Sequence, residues 1–144
     1  MKKVKFLYIA VFLLGFFSSF SQNVRDLGKK SFQDVKNMNE IEPCDITSGK
    51  ALSYCPEGGN RVTYIFDNYI LNGIMYQTAF LTRTKAEIEL EKEVNDFSVR
   101  NNVKPVYSND QALFYYPSNP LTVSYGLKEY NGTTYLIYYT FLSK

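Results

Sequence analysis

Few residues in this sequence can do chemistry. There is no histidine among its 144 residues, which removes Ser-His-Asp and Cys-His sites, imidazole-bound zinc and the commonest general base. Cys44 and Cys55 are the two cysteines. Their spacing fits neither a Cys-x-x-Cys redox motif nor a zinc site; in an exported chain such a pair reads as one structural disulfide closing a short loop. Glu40, Glu42 and Asp45 cluster around Cys44. A glycosidase needs two carboxylates facing across a cleft, but three acids in one loop, like the glutamates between 87 and 93, read more simply as solvated surface. Gly58-Gly59 lacks the Lys-Ser/Thr and helix of a phosphate loop, and no calcium-loop spacing of acids is present. The expectation is no catalytic residue, no metal and no cofactor. What remains is aromatic: 13 Tyr and 11 Phe, with no Trp.

The aromatics concentrate on segments that alternate as strands. Leu121, Val123, Tyr125 and Leu127 mark one side of a strand, and Asn131-Gly132 is a two-residue hairpin signal. Residues opposite each other across that hairpin share a face. Leu136, Tyr138 and Leu142 therefore join the side of Val123 and Tyr125. Tyr135, Ile137, Tyr139 and Phe141 point the other way, so the last strand is apolar on both sides. If helices cover one face of an open sheet, these four residues form an aromatic platform on the other. Tyr76 and Phe80 join them in the expected binding set, with Ile74 as a further candidate, although a bulge at Asn72-Gly73 would reverse that parity.

Elements able to carry this platform follow in order. Ser31 caps a short helix, SFQDVKNMNE, whose Phe32, Val35 and Met38 make an apolar stripe. Strands follow at Lys50–Cys55, at Arg61–Phe66 and up to about Leu81, with the second reversal at Asp67-Asn68 or at Asn72-Gly73. Thr84-Lys85-Ala86-Glu87 is a capping box opening the long helix, with Ala86, Leu90, Val94 and Phe97 on its inner side. Strands return at Gln111–Tyr116, from Leu121 and at Thr133–Leu142. Asn131-Gly132-Thr133 also matches a glycosylation acceptor, but a hairpin turn accounts for it. The fold class is α+β: two helix-β-β-β units, about 31–81 and 84–142, forming one six-stranded antiparallel sheet with helices on one face.

A sequence echo supports two units. Ala51, Leu52, Tyr54, Pro56, Val62, Tyr64, Phe80 and Leu81 recur at one offset as Ala112, Leu113, Tyr115, Pro117, Val123, Tyr125, Phe141 and Leu142. This tandem helix-plus-meander layout, with a tyrosine-rich sheet and a small-loop disulfide, resembles the β-lactamase-inhibitor-protein fold. Each unit is also similar to the small outer-membrane-assembly lipoproteins that share the half-fold. The likeness spans roughly Ser31 to Leu142 and is one of layout, with no shared residue motif.

Residues 1–21 read as a secretory signal peptide: Lys2, Lys3 and Lys5, an apolar run from Phe6 to Phe17, and small residues before Gln22. The apolar run is too short for a bilayer span. The remaining 22–144 are one domain. Removing three lysines takes the formal charge from +2 to −1, which leaves no electrostatic footprint for nucleic acid. The expected protein is exported, periplasmic or secreted, a non-catalytic module engaging a protein, peptide or glycan. The alternatives are an envelope assembly or structural protein and a small carboxylate-dependent hydrolase.

Overall fold

The computed structural model describes residues 28–39, 41–56, 58–115 and 121–142. The expected signal segment, Glu40, Glu57 and residues 116–120, where a turn is expected, lie outside them. Two helices, α1 (Phe32–Met38) and α2 (Arg83–Asn101), accompany eight strands. These are β1 (Asp45–Thr47), β2 (Ala51–Tyr54), β3 (Arg61–Asp67), β4 (Ile70–Phe80), β5 (Val106–Ser108), β6 (Gln111–Tyr115), β7 (Leu121–Tyr130) and β8 (Thr133–Leu142). They form one antiparallel sheet in the order β1-β2-β3-β4-β8-β7-β6-β5. Each half of the chain supplies one helix and then four consecutive strands, and β4 and β8 meet in the middle.

The sheet has eight strands where the sequence pattern indicated six. The additional two, β1 and β5, are three-residue edge strands with every residue exposed, so no alternation marks them. Pro43 and Pro105 stand just before them, and proline cannot extend a ladder. The 61-residue echo does not map equivalent places either. Strand register puts Leu52, Tyr54 and Phe80 on the helix-bearing face and their counterparts Leu113, Tyr115 and Phe141 on the opposite one. Val62 with Val123 and Tyr64 with Tyr125 do share a face.

Three hairpins turn on two left-handed residues: Asn68-Tyr69, Asn109-Asp110 and Asn131-Gly132. This backbone twist matches that of the flanking strands. Neither expected reversal is met in full: the turn falls one residue beyond Asp67-Asn68, because Asp67 still pairs with Ile70. The chain turns at Asn68-Tyr69, and Asn72 is the bulge, because Ile65 pairs with Gly73 while Phe66 pairs with Leu71.

α1 is capped by reciprocal bonds: Ser31 N donates to Asp34 Oδ2 (2.8 Å), and Asp34 N donates to Ser31 Oγ (3.1 Å). Val35 is buried and the Phe32 ring lies 5.1 Å from that of Phe66, but Met38, the third member of the expected stripe, is exposed. Before α1, Gly28 N donates to Leu71 O, Leu71 N to Lys30 O and Phe32 N to Tyr69 O. This short segment thus carries the pairing of β4 past the end of β8. α2 starts before the expected Thr84 box: Thr82 is the N-cap and its side chain accepts from Lys85 N at 3.3 Å. Asn102 closes it in the left-handed conformation.

Both helices lie on one face. Val35 of α1 and Val94 and Phe97 of α2 join Leu52, Tyr54, Phe66, Leu71, Ile74, Phe114, Val123 and Tyr125 in one cluster. Phe97 packs on Phe114 (4.6 Å between centroids) and Tyr125 (5.7 Å). Tyr125 meets Tyr138 (4.9 Å), and Tyr138 stacks on Tyr76 (5.6 Å). Burial pushes the Tyr76 hydroxyl well above the usual tyrosine range and raises that of Tyr64, helped by neighbouring tyrosines. Cys44 and Cys55 are bonded, Cα–Cα 5.8 Å, fastening β1 to the end of β2. Among the described residues no helix is long and apolar enough to cross a membrane.

Candidate interaction face

Register assembles the opposite face row by row. One row across the sheet reads Asp45, Ser53, Thr63, Met75, Tyr139, Ser124, Leu113, Val106. On one side of it run Thr47, Ala51, Ile65, Gly73, Phe141, Thr122 and Tyr115, and on the other Arg61, Gln77, Ile137, Gly126, Gln111 and Ser108. Ala79, Tyr135 and Lys128 follow. Strand β8 thus places Tyr135, Ile137, Tyr139 and Phe141 together at the centre of this face.

Two members of the expected set are not here. Tyr76 pairs with Tyr138 and Phe80 with Thr134, which puts both on the helix side, as it does Ile74. The Asn72 bulge is the reason: one unpaired residue in β4 shifts the alternation of everything after it. In their places β4 presents Gly73, Met75, Gln77 and Ala79. These, with Ile65, Leu113 and Tyr115, were missed because their facing depends on that one residue and on strands whose pairing the sequence does not print. The only local signal was the Asn-Gly pair inside a strand pattern.

All four β8 residues are partly exposed. Tyr139 and Phe141 stack on each other, centroids 4.7 Å apart and planes 26° from parallel. Gly73 makes room for Tyr139: a Cβ there would lie 2.9 Å from its Cε2 and 3.1 Å from its hydroxyl oxygen. Partial burial pushes the Tyr139 hydroxyl upward. Because each ring spends one face on the other, Tyr139 and Phe141 cannot both offer flat faces outward.

The β1–β3 flank is polar. Arg61 Nη2 donates to Asp45 Oδ2 (2.9 Å) and to Ser53 Oγ (2.9 Å), and Ser53 Oγ is 3.0 Å from Thr63 Oγ1. Ser53, Thr63, Thr122 and Ser124 are small and buried between larger neighbours. The β5–β6 flank exposes Val106 and Tyr115.

Asp45, the one described carboxylate of the Glu40–Glu42–Asp45 cluster that lies on this face, is held by Arg61. Among the described residues no group of three metal-ligating side chains is gathered. A shallow depression beside α1, lined by Lys29, Lys30, Asp34, Asn37 and Met38, contains one carboxylate and no cysteine. Set against known protein families, curated proteins and solved structures, the chain matches none of them.

Proposed function

We propose that this chain is an exported, non-catalytic binding module whose helix-free sheet face engages a protein or peptide. The observation that carries the reading is the collection of Tyr135, Ile137, Tyr139 and Phe141 on one face, flanked by Met75, Ile65, Leu113 and Tyr115, opposite the face that both helices occupy. Tyrosine and phenylalanine give large contact area at low entropic cost, and a contiguous apolar patch of this kind marks an interaction site. A glycan is the weaker ligand class, since sugar stacking needs ring faces that Tyr139 and Phe141 direct at each other. Export rests on the signal pattern at 1–21 and fits the Cys44–Cys55 bond. The likeness to the β-lactamase-inhibitor-protein layout belongs to the same proposal and supports it by analogy of architecture only.

Selection of displayed peptides on the purified protein tests this, with Ile137→Asp as the counter-target. Peptides should emerge that lose at least about ten-fold in affinity on the variant, roughly 1.4 kcal/mol. Peptides that bind both proteins equally would place recognition elsewhere.

A further inference from the structure

We propose that in the absence of a partner the open face is occupied by a second copy of this chain, related by a two-fold axis along the seam between β4 and β8. The inference rests on the reading of that face as the contact surface, and it adds what covers the face and how access to it is regulated.

Three observations converge. The first is relief. Each row at the seam sets a bulky residue of β8 beside a smaller or more slender one of β4: Tyr135 by Ala79, Ile137 by Gln77, Tyr139 by Met75, Phe141 by Gly73. A two-fold axis parallel to the strands lays β8 of one copy over β4 of the other, so each row meets its partner large on small. An isologous interface requires this self-complementarity. The second is charge. None of these eight residues is ionisable near neutral pH, and the charges of the face stand off the seam, with Arg61 and Asp45 on one flank and Lys128 on the other. Burying the seam itself strips no ion of water, and of the two cations one strand to either side, Arg61 is already paired with Asp45 while Lys128 lies at the end row of the face. A formal charge of −1 once the three signal lysines are removed also adds little repulsion between copies. The third is area. At strand spacings of about 4.8 Å and a rise of about 3.3 Å per residue, four rows over β3, β4, β8, β7 and β6 outline roughly 600 Å². Side-chain relief brings this toward the ~800 Å² per partner of a standard interface.

The mode of association follows from the edges. β1 and β5 are three residues long and follow prolines, so a copy gains little by adding to them. Face-to-face packing of two twisted sheets about 10 Å apart remains. A peptide that binds the face must displace the second copy, and its apparent affinity falls as the concentration of the chain rises.

Sedimentation velocity from low to high micromolar protein tests the proposal, beside Phe141→Asp and Gln77→Arg, each checked for folding by circular dichroism. The wild type should pass from monomer to dimer, and each variant should need at least about ten-fold more protein. A face-binding peptide should dissociate the wild-type dimer. Gln77→Arg removes no core group, so the test survives if Phe141→Asp fails to fold. A wild type monomeric throughout, or a dimer indifferent to both substitutions, would overturn the proposal. If that monomer still binds peptides that Ile137→Asp rejects, only the self-association falls. If it binds none, the functional reading falls too.

Discussion

Both faces of this sheet are rich in aromatic rings, and β8 feeds both. On the helix side Tyr138 lies between Tyr76 and Tyr125, which in turn reaches Phe97 and Phe114, so each ring is fixed by rings from a neighbouring strand or helix. On the other side Tyr139 stacks on Phe141 of its own strand and lies over a glycine of the next. The helix-side rings are knitted across strands, while Tyr139 and Phe141 are fixed within one. Residue type is the same on both sides; what separates the core from the proposed contact surface is whether a helix lies above.

The comparison breaks most readily through Phe114, fully buried against Phe97. Phe114→Ala should cost about 3–5 kcal/mol in urea unfolding. Ile137→Ala, its counterpart on the open face, should cost well under half of that. Equal costs would mean that both faces are core.

Gly73→Ala comes next. The added methyl would meet Tyr139 and the Thr140 carbonyl oxygen at 2.9 and 3.1 Å. Overpacking of this kind costs about 1–3 kcal/mol. Adding Tyr139→Ala should recover part of the loss, and a strictly additive double variant would show that Tyr139 is not what crowds Gly73.

Alkali probes the buried tyrosines of the helix side. Burial raises the pKa of Tyr76 and Tyr64 above that of an unfolded chain. Their neutral hydroxyls therefore contribute stability that is present below about pH 10 and lost as pH rises beyond it, where only the unfolded state ionises. Urea midpoints should fall between pH 9 and 11 in the wild type, and fall less steeply in Tyr76→Phe. An unchanged slope would assign the loss to other groups, Tyr139 first among them.

Tyr135→Ala should have the smallest effect on stability, within about 1 kcal/mol, while weakening peptide binding. A variant that unfolds would make Tyr135 a core residue.

Much of this contrast was legible in advance. The hairpin at Asn131-Gly132 fixed the parity of β8 from sequence, because a two-residue turn leaves only one register. The disulfide was legible from composition and the signal pattern. Parity in β4 was not, because Asn72-Gly73 reads equally as a turn or a bulge until the pairing of Ile65 with Gly73 is seen. Neither were β1 and β5, whose three exposed residues carry no period. The repeat at one offset was misleading for a related cause. Identical residues at a fixed separation say nothing of facing once loop lengths and bulges differ between the halves.

The Gly28–Phe32 segment has a consequence for connectivity. A Cβ on Gly28 would lie 3.4 Å from Leu142 Cδ1, so the beginning of the first half and the end of the second are neighbours. The link between the halves, at Leu81, is almost fully exposed. Cutting the chain there and joining 142 to 28 through a few added residues would translate α2 and β5–β8 before α1 and β1–β4, with every strand neighbour preserved. Such a permuted chain should build the same eight-stranded sheet, because only the β4–β8 seam joins the two halves of that sheet.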